Sequence, residues 1–173
     1  ALAMVDASVG GKTAVNTPHG KNLIGAFKQP QRVWIDPQCQ RTLSPTQQLD
    51  GWVETIKHAI IADAAFFDAL PAAATLARTP LSTDVLMRSV SIKQRIVEAD
   101  VTEQHCRATL NFGHTIGHAL EHHSQYALSH GHAVALGMQV EADIAARLGI
   151  LSQDDATAIQ QRCQQLTYPH YAL

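Results

Sequence analysis

The chain has 173 residues, 46% of them apolar and 16% charged, with a net charge of −2 and a pI near 6.6. That composition excludes a disordered chain, and that charge argues against a general nucleic-acid binder. No apolar run reaches the ~18 residues of a membrane span, and the start, Ala1-Leu2-Ala3-Met4 running into Val5-Asp6, reads as a cut inside a longer protein with no signal peptide. Cys39, Cys106 and Cys163 are odd in number and share no short spacing, so free thiols in a reducing, cytoplasmic setting are expected.

Residues 1–44 are rich in Gly, Pro and Asn. Lys12, Lys21, Lys28, Arg32 and Arg41 stand there against Asp6 and Asp36, a balance of +3 that leaves −5 for the rest. Met4-Val5 and Val33-Trp34-Ile35 alternate with turn signals such as Gly10-Gly11 and Asp36-Pro37, which predicts short strands joined by ordered loops. The character changes at Ser44-Pro45-Thr46-Gln47, a capping-box pattern with Pro at the first helical position. A helix is predicted from Pro45 to about Ile61. Asp63 caps a second through Phe66, Phe67 and Leu70, ending near Pro71. Ser82 caps a third through Val85, Leu86, Val90 and Val97. Ala108–His123 and His130–Leu148 follow, the latter stopped by Gly149, and Ser152-Gln153-Asp154-Asp155 opens the last. The expected fold is mainly α: a helical domain over residues 45–173, preceded by strands and loops over residues 1–44.

Chemistry concentrates in the histidines, seven of ten of which lie between His105 and His132. His114 and His118 in Asn111-Phe-Gly-His114-Thr-Ile-Gly-His118-Ala-Leu-Glu121 are four apart and share a helix face. Gly113 and Gly117 share that spacing and would admit a second backbone; a tight helix crossing edged by histidines fits the pattern as well as a metal site does. His-Glu-x-x-His is absent, so the zinc-protease pattern lacks its base. His130, in Ser129-His130-Gly131-His132, could face a metal held by His114, with Glu54 as a carboxylate third ligand. Glu54, Lys57 and His58 lie at i, i+3 and i+4, a spacing that an ordinary exposed Glu–Lys pair also produces. His132 rivals His130, and spacing cannot choose between them. Asp6-Ala-Ser-Val-Gly10-Gly11-Lys12-Thr13 fails as a phosphate-binding P-loop because Asp6 stands where the first Gly belongs. The Gly11-Lys12 and Gly20-Lys21 turns suit an anionic small molecule, or two solvated lysines. Lys93, Glu103, Arg107 and Asn111 form a polar series leading to His114, and Arg107 suits a carboxylate.

Together the stretches Val5–Phe27, Glu54-Thr-Ile-Lys57, Asn111–Glu121 and His130-Gly131 resemble the 3-dehydroquinate synthase family, in order from Asp6 to about Gly149. The resemblance implies the helical C-terminal, metal-binding half of such an enzyme, with residues 1–44 closing an α/β cofactor domain. It implies conversion of 3-deoxy-arabino-heptulosonate 7-phosphate to 3-dehydroquinate and phosphate in the shikimate pathway. A hydroxyl is transiently oxidised, phosphate is eliminated, the ketone is re-reduced, and the ring reopens and closes by an aldol step. It implies Zn²⁺, or another divalent metal such as Co²⁺, on Glu54, His114 and His130, and NAD⁺ with Lys21 as a contact. Lys57, His118, Asp6 and Glu103 match catalytic positions, and Lys12, Asn22, Lys93, Arg107 and Asn111 match substrate-binding ones. The expected partners are a phosphorylated sugar acid and, for the full-length enzyme, a second copy of the chain; no nucleic acid or membrane is expected. Three departures stand out. The Gly-rich dinucleotide-binding half is absent, so the piece alone is expected to be inactive. His132 stands where the family usually has Glu, and Trp52 and Thr55 are atypical. No lysine follows Arg162. A related sugar-phosphate cyclase, or a helical metal-binding module without catalysis, is the competing expectation.

Overall fold

Helix formation begins where the local signals place it. The Ser44 hydroxyl accepts from the Gln47 amide at 3.3 Å while the Gln47 side chain accepts from the Ser44 amide at 2.9 Å, with Pro45 first in the helix. This reciprocal cap satisfies donors that a helix start otherwise leaves bare. The computed structural model describes residues 1–168, and of residues 16 and 20–22 only the backbone. Its helices are α1 (Pro45–Ala62), α2 (Ala64–Ala69), α3 (Thr83–Ala99), α4 (His114–His123), α5 (His130–Arg147) and α6 (Gln153–Gln164). Side chains of Asp63, Ser82, Ser129 and Ser152 cap α2, α3, α5 and α6. Gly149, with φ of +70°, follows the end of α5 in the left-handed conformation that glycine adopts freely.

The central element is α1. Every residue from 51 to 59 is buried, so this stretch of the helix has no solvent face and its polar residues must find partners inside. Leu49, Trp52, Val53 and Ile56 meet Leu86, Val90 and Ile92 of α3 and Val134 and Met138 of α5 in one core. Each such buried side chain contributes roughly 1.5–3 kcal/mol over its exposed state. The Trp52 indole donates to the Thr79 carbonyl at 2.6 Å, which satisfies its one polar atom.

Residues 1–44 differ in detail from the expectation. Met4-Val5 lies in a single π-helical turn, Ala3–Ala7, whose Val5 is fully buried in the core. Val33-Trp34-Ile35 forms no strand, because the one described sheet holds only two strands and offers it no neighbour. The strands are β1 (Lys12–Thr17) and β2 (Gly20–Phe27), an antiparallel hairpin pairing Lys12 with Phe27 and Val15 with Ile24. Hairpins of two strands are marginal alone, and this one leaves Val15, Leu23, Ile24 and Phe27 exposed.

The helix expected over Ala108–His123 is also broken. Cys106–Asn111 is a 3₁₀ segment, and α4 begins only at His114. Gly113 takes a φ of +79° between them, and its amide donates to Glu141 of α5 at 2.8 Å. A left-handed residue held from another helix ends the first run and restarts the chain in a new direction.

Candidate metal centre

Three segments converge on one buried carboxylate. Glu54 of α1 is wholly buried; its Oε1 lies 3.2 Å from His130 Nε2 and 3.6 Å from His114 Nε2, and its Oε2 lies 2.5 Å from Lys57 Nζ. The ligand-capable atoms of Glu54, His114 and His130 all fall within 4.8 Å of one another. The Glu54–Lys57 pair is thus an interior pair, not the exposed one that the spacing also allowed.

Hydrogen bonding assigns the imidazole nitrogens. His114 Nδ1 lies 3.2 Å from the Phe112 carbonyl, which can only accept, so Nδ1 carries the proton and the Nε2 lone pair faces Glu54. His130 Nδ1 faces buried Glu121 at 3.6 Å, while its Nε2 faces Glu54. Burial, and then the Lys57 charge, pushes the His114 pKa down to about 4. Burial also works against the charged form of His130, but the hydrogen bond and charge of Glu54 outweigh it and raise that pKa. Glu54 is held well below the usual carboxylate range: burial opposes its charge, and Lys57 with the two imidazoles overcomes it. The ionised Glu54 and the accepting Nε2 of His114 are already the forms that bind a cation, and a cation would displace the proton through which His130 Nε2 holds Glu54.

The crossing of α4 and α5 brings the two histidines together. A Cβ on Gly117 would meet the Ala133 carbonyl at 3.2 Å, and one on Gly137 would meet the Gly113 carbonyl oxygen at 2.0 Å. The two backbones therefore touch where side chains would hold them apart. His118 sits one turn along α4, its ring centroid 5.3 Å from that of His114 and 6.3 Å from that of His130. With Glu121 and His130 it forms a second group of converging donors. His132 turns elsewhere: its ring is stacked on Tyr168 at 4.5 Å and an interplanar angle of 1°.

A second layer surrounds Glu54. Asp6, Glu54 and His58 also bring donor atoms within 4.8 Å of one another. Lys93 Nζ donates to the Asp6 carboxylate at 2.6 Å and to the Asp6 carbonyl at 2.5 Å. His58 Nδ1 pairs with Ser89 Oγ at 2.8 Å, and burial followed by Lys57 pushes the His58 pKa down to about 4. Further out, Lys12 is ion-paired with Glu103, whose carboxylate also accepts from Asn111 at 3.0 Å. Arg107 is buried and donates to the carbonyls of Val101 at 2.6 Å and Gly10 at 2.5 Å. One of its nitrogens thus holds the Gly10 turn that precedes Lys12, while another ties it to the Val101 carbonyl. Lys21 and Asn22 lie on β2, and their side chains lie outside the described residues.

Several residues of this region carry no role on sequence grounds. Asp50, Glu121, Glu141 and Tyr168 reach the site only through tertiary contacts. Asp50 offered a faint signal, four residues before Glu54 and hence on the same helix face.

The same backbone arrangement recurs in cyclases solved with a metal ion bound. A 2-epi-5-epi-valiolone synthase from Streptomyces hygroscopicus subsp. jinggangensis, with NAD⁺ and Zn²⁺ bound, superposes with a TM-score of 0.85 at 28% identity over 95% of this chain and 47% of its own. A 2-deoxy-scyllo-inosose synthase complexed with carbaglucose-6-phosphate, NAD⁺ and Co²⁺ gives 0.83 at 30% identity over 95% and 46%. The fold is therefore that of the sugar-phosphate cyclases. Within it, residues 51–172 match the model of the 3-dehydroquinate synthase C-terminal region and residues 1–50 that of the N-terminal region. The chain belongs to the 3-dehydroquinate synthase family. Curated 3-dehydroquinate synthases of Syntrophotalea carbinolica and Acaryochloris marina are 46% and 45% identical over 99% and 97% of it. The chain spans about half the length of these relatives, 50% and 47%.

Proposed function

We propose that this chain supplies the metal-binding, substrate-facing half of a 3-dehydroquinate synthase, which converts 3-deoxy-arabino-heptulosonate 7-phosphate to 3-dehydroquinate and phosphate. The observation that carries the reading is the convergence of Glu54, His114 and His130 from three separate segments. Two imidazole nitrogens and one carboxylate are a donor set of catalytic zinc, with positions left for water or substrate. The donors fit a divalent cation: the one ring proton of His114 lies on the far nitrogen, and Glu54 is ionised yet buried. A Zn²⁺ or Co²⁺ ion held there would act as a Lewis acid on a substrate hydroxyl or carbonyl oxygen.

The chain's own residues do the remaining work. Lys57 balances the buried Glu54 charge. His118 is exposed beside both ligand imidazoles and is suited to exchange a proton with substrate and solvent. Lys12 and Lys93 rest on Glu103 and Asp6 and can turn to an anionic substrate, with Asn111 beside Glu103 as a neutral donor. Arg107 fixes the turn from which Lys12 projects. Lys21, which the resemblance places at NAD⁺, has its side chain outside the described residues. Residues 1–44 serve as the closing segment of the cofactor side and 45–173 as the helical metal domain, of which the last five residues lie outside the description. A cytoplasmic homodimer is the expected assembly of the whole enzyme. The 46% identity to curated 3-dehydroquinate synthases, against 28–30% to the other cyclases, favours this substrate over theirs.

The test joins this chain to the part of the Syntrophotalea carbinolica relative that it does not span. Phosphate release from 3-deoxy-arabino-heptulosonate 7-phosphate is expected from the joined protein and not from the chain alone. Release that survives Glu54→Ala or His130→Ala at full rate overturns the proposal.

A further inference from the structure

Asp50 stands one helical turn before Glu54 on α1, and the two carboxylates grip the same corner of the chain. Glu54 faces the ring of His130. Asp50 holds the backbone around it: Oδ1 accepts from the Ser129 hydroxyl at 2.8 Å, the Gly131 amide at 3.0 Å and the Tyr168 hydroxyl at 3.1 Å. Ser129 Oγ also accepts from the His132 amide at 3.4 Å and so caps α5. The residues on both sides of His130 are thus tied to one oxygen. The fit admits no side chain at position 131, where a Cβ would lie 2.5 Å from Asp50 Oδ1, 2.6 Å from Asp50 Cα and 2.6 Å from the Tyr168 hydroxyl. Tyr168 completes the corner from beyond α6, with its hydroxyl on Asp50 and its ring stacked on His132.

We infer that Asp50 is a positioning residue for the ligand His130, and that Tyr168 locks it in place. The inference rests on the metal-centre reading above. An imidazole at the first position of a helix keeps its aim only if the helix start cannot rotate or slide. Asp50 fixes that start against α1, the helix that carries Glu54, so two ligands are held in register by one further side chain. His132 belongs to the same device through its stacking on Tyr168. Supports of this kind typically change metal affinity by about 10–100-fold.

The experiment measures Zn²⁺ affinity of the full 173-residue chain by competition with a chromophoric chelator, with Co²⁺ absorption as a second readout. Asp50→Ala is expected to weaken binding by about 10–100-fold and to alter the Co²⁺ spectrum. Asp50→Asn keeps an acceptor oxygen in place and is expected to restore affinity to within about threefold of the parent. Tyr168→Phe keeps the ring and removes one hydrogen bond, with an expected loss of about fivefold. A parent that binds Zn²⁺ while Asp50→Ala binds equally well overturns the clamp alone. If Asp50→Ala does not fold, Tyr168→Phe decides: parental affinity overturns the inference and a several-fold loss supports it. A parent that binds no Zn²⁺ overturns the metal-centre reading, and the clamp with it.

Discussion

Gly137→Ala tests whether backbone contact between α4 and α5 sets the distance between the two histidine ligands. The added methyl would lie 2.0 Å from the Gly113 carbonyl oxygen and 2.9 Å from the Gly117 nitrogen, where ordinary contact begins near 3.4 Å. Both opposing atoms are backbone, so no rotamer change relieves the clash. The helices must part by about 1.4 Å at this point. Overpacking of this kind costs up to ~3 kcal/mol, and the better helix propensity of Ala returns ~1 kcal/mol. The net loss is roughly 2 kcal/mol, a fall in Tm of roughly 4–8 °C for a chain of this size. Because α4 carries His114 and α5 carries His130, the shift also exceeds the ~0.2 Å tolerance of metal–ligand distances. Thermal melts by circular dichroism and Zn²⁺ competition titrations read the two effects. Gly149→Ala is the control: its φ is +70° and nothing lies within 4 Å of the added Cβ. It should cost ~1 kcal/mol of backbone strain and leave Zn²⁺ affinity unchanged. A Gly137→Ala protein with parental Tm and parental affinity would refute the reasoning.

Lys57→Met leaves the wholly buried Glu54 without its cation, and breaking such a pair from one side costs about 3–5 kcal/mol; a metal-free melt within a degree or two of the parent contradicts this. Metal-free stability should fall as pH drops from about 6.5 towards 4. His58 is pushed down to about 4 by burial and then Lys57, with Lys93 adding to the shift and Glu54 and Asp6 opposing it. The unfolded chain therefore binds that proton first and gains as pH falls. His58→Gln should flatten the slope of Tm against pH between 6.5 and 4, and an unchanged slope counts against the assignment. Ile24 and Trp34 are 65% and 86% exposed, and exposed apolar surface of this kind promotes association. Sedimentation should show self-association that Ile24→Ser with Trp34→Ser reduces; a parent that stays monomeric at high concentration contradicts this.

Features fixed by neighbours in sequence were legible in it. The starts of α1, α2, α3 and α6 were readable because a Ser or Asp side chain reaches an amide only three residues on. The break before α4 was not, because its cause is Glu141, 28 residues from the Gly113 amide it accepts. Val33-Trp34-Ile35 has the composition of a strand, but a strand needs a partner edge, and composition carries no information about one. Candidate ligands were visible as residue types, and the resemblance singled out Glu54, His114 and His130 from neighbours such as His132. The backbone duties of Arg107, and the grip of Asp50 and Tyr168 on the α5 start, depend on contacts between segments 79 to 118 residues apart for Asp50 and 97 for the Gly10 contact of Arg107. No local pattern encodes separations of that size.

The central claim is that Glu54, His114 and His130 hold one divalent cation. Zinc content per chain, measured by elemental analysis after metal-replete purification, tests it most directly. The account predicts one equivalent in the parent, in His118→Ala and in His132→Ala, and loss of the ion in Glu54→Ala, His114→Ala and His130→Ala. Full occupancy in His130→Ala together with loss in His118→Ala or His132→Ala would contradict it.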